Sequence, residues 1–164
     1  MKILRKIYLF FLILFFICVM SCNQKNKNSI SFDLENLPSQ KELSQESEPV
    51  SEQVDLDLTQ MNANMIYAEV FNMLIEPENY ENKNIKISGY FNVFTNENTN
   101  EKYYAIIIPD ALECCQQGLE IVWLGEHSPD EYPAQGEKIT IIGRYTIREL
   151  ENGITYNYLA VSKI

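Results

Sequence analysis

The pattern of apolar and polar positions divides the chain into a leader, a polar stretch and a periodic C-terminal part. Apolar residues fill the 14 consecutive positions of Ile7–Met20. They are then scattered singly among Asn, Gln, Ser, Glu and Pro before they recur at regular spacing. A stretch with few apolar side chains cannot offset the entropy lost on ordering. The pattern therefore predicts a flexible tether over 22–58 and one folded domain over 59–164.

The folded part opens with helical spacing. The apolar stripe at i, i+4, i+7 and i+8 consists of Ile66, Val70, Met73 and Leu74. This spacing places all four side chains on one face of an amphipathic helix. Asn62 or Asn64 can cap its first turn, and Pro77 marks its end because proline cannot continue the hydrogen-bond ladder.

Alternation with a period of two follows the helix, and it predicts strands with one face turned inward. The strands are expected at about 85–94, 102–108, 119–124, 138–150 and 154–161. Asn152-Gly153 favours a tight hairpin turn before the last strand. Gly89 and Gly143 stand at inward positions, where glycine permits the sharp bends of a small barrel. The pattern predicts a mainly β fold, a five-stranded OB-like antiparallel barrel with an N-terminal amphipathic helix.

A short interstrand helix is expected over Pro109–Gly118. Asp110 and Glu113 have the spacing of a capping box, and Gly118 suits the left-handed position after a helix end. Helical geometry would then turn Cys115 inward and Cys114 toward the surface.

Several short motifs carry a resemblance to a family. They are Pro-x-x-Tyr-x-x-Lys-x-Ile-x-Ile-x-Gly at 77–89, Cys-Cys-x-x-Gly at 114–118, and Tyr132-Pro133 with Gly136. Together they resemble the OB-like domains of small secreted or lipid-anchored bacterial proteins. The resemblance covers about Met61–Ile164 and implies a barrel, without an activity to carry over.

The leader points to export. Three basic residues precede the apolar run, which ends in Val19-Met20-Ser21-Cys22. This layout is typical of a cleaved signal, and it resembles the lipobox of bacterial lipoproteins, in which the cysteine is acylated. The alternative is a plain membrane anchor, but 14 apolar positions fall short of the roughly 20 that a span needs. We predict a signal peptide over 1–21, a palmitate-type lipid on Cys22 and an extracytoplasmic location on a bacterial membrane.

Charge narrows the choice of partners. The formal net charge is −10, and removal of a leader with three basic and no acidic residues leaves −13. Nucleic-acid affinity depends largely on Lys and Arg that neutralise phosphates. We therefore expect no nucleic-acid partner, an N-terminal lipid in the membrane, and a protein or small-ligand partner.

After loss of the leader and acylation of Cys22, the adjacent Cys114 and Cys115 are the remaining thiols. Two cysteines do not make the disulfide framework of small secreted domains. Four readings stay open: a strained vicinal disulfide, a soft-metal site with His127 as third ligand, a redox thiol, or simple packing. No nucleophile elbow, phosphate loop or paired metal motif occurs in the sequence, so no catalytic residue and no cofactor is expected.

Tyrosines supply the other candidate site. Tyr103, Tyr104, Tyr156 and Tyr158 lie on paired or neighbouring strands. OB barrels commonly bind ligands on a face that carries aromatic rings. The sequence therefore indicates a non-enzymatic binding or scaffolding lipoprotein of the cell envelope. The alternative is a thiol-based metal or redox site at Cys114 and Cys115.

Overall fold

The computed structural model describes residues 38–46, 50–51, 53–150 and 153–164. The predicted signal peptide, Cys22 and the first part of the predicted tether lie outside these residues. The described part is mainly β, a six-stranded mixed sheet with two α-helices. The helices are α1 (Gln40–Glu46) and α2 (Ala63–Ile75). The strands are β1 (Leu56–Asp57), β2 (Asn84–Thr95), β3 (Lys102–Pro109), β4 (Gln116–Trp123), β5 (Lys138–Glu149) and β6 (Thr155–Val161).

The strands pair in the order β1-β2-β3-β4-β6-β5, and β2 also pairs with β5. The pairings of β2 with β3 and β5, of β3 with β4, and of β5 with β6 are antiparallel. Strands β4 and β6 pair in parallel, as do the short β1 and the start of β2. The long strand β2 therefore serves two partners, with its first half on β5 and its second half on β3.

The predicted alternation of buried and exposed residues is confirmed in the long strands. In β2, Ile85, Ile87 and Phe91 are fully buried, and Tyr145 of β5 is buried beside them. Gly89 occupies an inward position where a Cβ would lie only 2.7 Å from the carbonyl oxygen of Ile107. A side chain there would separate β2 from β3, so the close approach of the two backbones requires glycine.

Helix α2 has the predicted start and end. The Asn62 side chain accepts a hydrogen bond from the backbone N–H of Met65 at 3.1 Å. Val70 and Met73 of the predicted stripe are buried, and the Tyr145 hydroxyl donates to the carbonyl oxygen of Met73 at 2.5 Å. This bond joins the C-terminal half of the helix to β5.

The described residues of the predicted tether include regular structure. Helix α1 lies within it, and Leu43 of α1 has no exposed surface. Leu43 packs with Val122, Tyr156 and Tyr158 in a small second core. One leucine in a polar heptapeptide has no periodic pattern, so this packing follows from the apolar surface that β4 and β6 present.

The predicted interstrand helix is absent from the described chain. Residues 110–115 form a tight turn, and β4 begins at Gln116. Glu113 has φ of +56°, a left-handed conformation that interrupts a right-handed helix. The Asp110 carboxylate accepts hydrogen bonds from the N–H groups of Cys114 and Cys115 and so closes a turn. The spacing of Asp110 and Glu113 therefore belongs to this turn and not to a helical capping box.

Candidate functional site

An aromatic cleft of about 500 Å³ opens beside the hairpin that β3 and β4 form. Its rings are Tyr104 of β3, Trp123 of β4, and His127 and Tyr132 of the loop that follows. Polar residues of and just before α1, among them Ser39, Gln40 and Ser44, form a further wall of the cleft. A space of this size, with apolar rings and a few polar groups, has the composition of a small-ligand site.

The four rings are arranged in two stacked pairs. The Tyr104 and Tyr132 ring centroids are 4.1 Å apart, and those of Trp123 and His127 are 3.6 Å apart. The Trp123 ring meets Tyr132 edge to face at 5.1 Å, which joins the pairs. Tyr104 also stacks on the buried Phe91 at 5.8 Å, so the cluster is continuous with the main core.

His127 is oriented by a hydrogen bond from one ring nitrogen, and its other nitrogen lies near a carboxylate. Its Nε2 lies 2.9 Å from the carbonyl oxygen of Leu124, and its Nδ1 lies 3.7 Å from the Glu131 carboxylate. A carbonyl only accepts, so Nε2 carries the proton and donates it. The ring is thereby fixed flat against Trp123, an arrangement that favours a stacking role over that of a free base or ligand.

Helix α1 is fastened to the sheet next to the cleft. The Gln40 side-chain amide donates a hydrogen bond to the carboxylate of Glu120 on β4. Burial of Glu120 raises its pKa to about 7, although Tyr156 and Gln40 partly oppose the rise. The Tyr156 hydroxyl is buried near this carboxylate without completing a hydrogen bond of good geometry, and burial raises its own pKa. The α1 side of the cleft is therefore attached to the sheet through the half-buried carboxyl group of Glu120.

The four tyrosines selected from the sequence separate into two groups. Tyr104 is half-buried and lines the cleft. Tyr103, Tyr156 and Tyr158 are each 9 % exposed or less. Tyr156 and Tyr158 pack beneath α1 in the second core, so they support the cleft wall and offer no open binding face.

Trp123 was not selected from the sequence, Tyr132 entered only as part of a resemblance motif, and His127 was considered as a metal ligand and not as part of an aromatic site. The three residues come from a strand end and a long loop, so no strand or helix period relates them. Their residue types were the available signal, because aromatic rings recur along 123–132 in a segment with two turn-forming residues, one Gly and one Pro.

The cysteine turn, residues Asp110–Cys115, lies at the other end of the same hairpin. Cys114 and Cys115 are free thiols and both are exposed. The Cys114 Sγ is 3.2 Å from Asp110 Oδ2 and 3.9 Å from the Cys115 Sγ. The inward position expected for Cys115 is therefore wrong, because a turn and not a helix carries it.

Asp110 is the acid of this turn that contacts a thiol. Hydrogen bonds, first from the Cys114 thiol and then from backbone N–H groups, lower the pKa of the Asp110 carboxyl. The same contact raises the pKa of Cys114 to about 11, with further contributions from Cys115. Because a thiolate is the nucleophilic form, these contacts oppose a redox role for Cys114.

The structure does not bring His127 to the thiols. The convergent ligand group in the described residues consists of Asp110, Cys114 and Cys115, whose candidate atoms all lie within 4.8 Å of one another. His127 instead stacks in the aromatic cleft. The third ligand suggested by the sequence is thus replaced by a carboxylate on the same turn.

No family model matches this chain, and no curated protein matches it in sequence. The helices in the described ranges are all too short or too polar to span a membrane.

Proposed function

We propose that this protein is a lipid-anchored, non-enzymatic binding module of the bacterial cell envelope, built on an OB-like barrel, with its ligand in the aromatic cleft. The observation that carries the proposal is the cleft itself, which is lined by stacked rings and by polar side chains of the α1 segment. The leader and Cys22 supply the anchor in this proposal.

The strand pairings support the OB-like barrel. Five strands pair in the cyclic order β2-β3-β4-β6-β5 and back to β2, and within this order β4 and β6 pair in parallel. OB folds bind ligands on the face of their second and third strands. In this chain those strands are β3 and β4, which carry Tyr104 and Trp123 of the cleft.

The chemistry of the walls favours a neutral oligosaccharide. Aromatic rings give a flat apolar surface on which the C–H face of a sugar ring can pack. Ser39, Gln40 and Ser44 provide hydroxyl and amide groups for hydrogen bonds to sugar hydroxyls. Lys41 and Lys102 line the cleft together with Glu101 and Glu126, so its charges are balanced and suit an uncharged ligand.

Trp123 makes the cleft directly observable because it is the single tryptophan of the sequence. We expect the addition of neutral oligosaccharides, including fragments of cell-wall glycan, to change its fluorescence with saturation. Tyr104→Ala should abolish the change because it removes one stacked ring. Phe94→Ala is the matched control, since Phe94 is an aromatic residue of β2 that is 49 % exposed outside the cleft.

A titration in which only peptides change the fluorescence would replace the glycan with a peptide ligand. A change that survives Tyr104→Ala would place the ligand outside the cleft. Single-stranded DNA or RNA should cause no saturable change, because a formal charge of −10 for the chain opposes phosphate binding.

Anchoring needs its own experiment because Cys22 lies outside the described residues. Cells fed a clickable palmitate analogue should label the wild-type protein and not Cys22→Ala. Cys18→Ala is the matched control, because Cys18 lies within the predicted leader and should leave labelling intact. Equal labelling of wild type and Cys22→Ala would exclude the lipoprotein anchor.

A further inference from the structure

The cysteine turn brings three metal-ligating side chains together within six residues. Two sulfurs and one carboxylate oxygen converge on one point at the surface. Zinc and cadmium prefer this combination of thiolate and carboxylate ligands, whereas magnesium and calcium prefer oxygen alone.

Two of the three spacings between ligand atoms are close to those of tetrahedral coordination. A zinc ion with Zn–S bonds of about 2.3 Å places two sulfurs about 3.8 Å apart and a sulfur and an oxygen about 3.5 Å apart. The Cys114 and Cys115 sulfurs are separated by 3.9 Å, and Cys114 Sγ and Asp110 Oδ2 by 3.2 Å. The Cys115 sulfur lies within 4.8 Å of an Asp110 carboxylate oxygen, so side-chain rotation that closes this gap by up to about 1.3 Å would bring all three atoms into one coordination sphere.

The turn also holds these ligands in position. Asp110 Oδ1 accepts from the N–H groups of Cys114 and Cys115, which leaves Oδ2 directed toward the sulfur. The Asn64 side chain of α2 accepts from the N–H of Ala111 and ties the turn to the helix. Hydrogen bonds of this kind orient ligands and raise metal affinity.

We propose that the cysteine turn binds one thiophilic divalent cation of the zinc or cadmium type through Cys114 Sγ, Cys115 Sγ and the Asp110 carboxylate. Three protein ligands leave a fourth, solvent-facing position for water. Both thiols bind as thiolates and release their protons to solvent. The site is independent of the aromatic cleft, from which it is separated by the length of the hairpin.

The test is a cadmium titration of the full chain, reduced and in detergent, with Cys18→Ser and Cys22→Ser so that two thiols remain. We expect ultraviolet sulfur-to-cadmium charge-transfer absorption that saturates at one ion per chain, and competition by zinc. Loss of an orienting partner costs roughly 10–100-fold in metal affinity. Cys114→Ser and Cys115→Ser should therefore each weaken binding at least about 10-fold, since they remove ligands directly.

Asp110→Asn tests whether the carboxylate is a ligand or whether the two thiols bind the ion without it. It retains Oδ1 as an acceptor for the turn but lacks the carboxylate, so we expect affinity to fall at least about 10-fold. Glu113→Gln, an exposed acid of the same turn, and His127→Ala should both leave affinity within about 2-fold, since neither residue belongs to the ligand group.

Three results would overturn the proposal: unchanged affinity in Asp110→Asn, two chains per ion at saturation, or large weakening in His127→Ala. A disulfide between Cys114 and Cys115 in protein alkylated directly in cells, detected by intact mass, would also overturn it. Circular dichroism of each variant verifies that a loss of binding does not arise from unfolding.

Discussion

The two ends of the β3–β4 hairpin carry the two candidate sites, and they are built in opposite ways. At one end, Tyr104 and Trp123 are half-buried and continuous with the main core. At the other end, Cys114 and Cys115 are exposed on a turn. The first site depends on tertiary packing from four separate segments, and the second on bonds within six residues. Stability and binding should therefore be coupled at the aromatic end and separable at the thiol end.

The largest effect is expected from a change that affects both ends together. Gly89→Ala places a Cβ 2.7 Å from the carbonyl oxygen of Ile107, a residue of β3. Because backbone must move, we expect a loss of about 3 kcal/mol in the free energy of unfolding, the upper part of the usual overpacking range. Chemical denaturation followed by circular dichroism measures this loss.

Gly118→Ala is the control on the same hairpin. Its Cβ would meet only the end of the Ile107 side chain, at 3.2 Å, and that atom can rotate away. We expect a loss below about 1 kcal/mol. Equal losses in the two variants would contradict the close approach of β2 and β3 at Gly89.

A second comparison applies the same substitution at each end of the hairpin. Leu43 under α1 has no exposed surface, whereas Leu112 on the cysteine turn is 83 % exposed. Leu43→Ala should cost about 2 kcal/mol, the lower part of the range for buried leucine, because a short helix can undock locally. Leu112→Ala should stay within roughly 0.5 kcal/mol.

The readout for this pair combines thermal melts with Trp123 fluorescence. Leu43→Ala should change the fluorescence of the folded protein because α1 forms a wall of the cleft. Leu112→Ala should not. If Leu43→Ala leaves both the melt and the fluorescence unchanged, α1 does not pack on the sheet as described.

The elements that could be predicted from the sequence are those whose side chains alternate or recur with a regular local period. The strand bounds 102–108 and 138–150 differ by one residue from β3 and β5, because inward and outward side chains alternate along each. Helix α2 was visible through its stripe and its Asn62 cap. The mainly β class of the fold follows from these elements.

The rest of the fold and both sites depended on contacts that no local period encodes. Leu43 is buried only by its contacts with β4 and β6, and these contacts cannot be seen in the local sequence. The α1 segment was therefore predicted to be part of the tether. The spacing of Asp110 and Glu113 suits a helix cap, but the left-handed Glu113 selects a turn. The residue type of His127 allowed it to be considered as a metal ligand. Its distance from the thiols depends on the fold and could not be read from the sequence.

A pH-dependent effect should mark the aromatic end. The pKa of Glu120 is raised to about 7 from an ordinary 4.5, so the folded state keeps the proton to higher pH than the unfolded chain. Stability should therefore fall as pH rises from about 4.5 through 7 and then level off. A pKa shift from 4.5 to about 7 corresponds to a stability loss of about 3 kcal/mol at 1.36 kcal/mol per pKa unit. Because Glu120 is only partly buried, solvent screening reduces the expected loss to about 1–2 kcal/mol.

Glu120→Gln removes the ionisation and keeps an acceptor for Gln40. The difference in melting temperature, variant minus wild type, should grow between pH 4.5 and 7 and stay constant above. Gln40→Ala removes the donor that favours the charged form, so it should enlarge the loss above pH 7. A difference that does not vary with pH would show that Glu120 is not held in a low-dielectric position.

The smallest effect on stability is expected at the thiol end, where it sharpens the contrast between the two sites. Cys114 and Cys115 are both exposed, so replacing either with Ser buries no unsatisfied hydroxyl. Each variant should unfold within roughly 0.5 kcal/mol of wild type when metal is removed by a chelator. With zinc present, the wild type should gain more stability than either variant, because an ion that binds only the folded state stabilises it by mass action and binds the variants more weakly. Thermal melts of each variant and of the wild type, measured once with zinc and once with chelator, separate the effect of the substitution on folding from its effect on metal binding. A large loss in Cys115→Ser that persists under chelator would mean that its sulfur packs in the interior, and the turn would then be a structural element instead of a metal site.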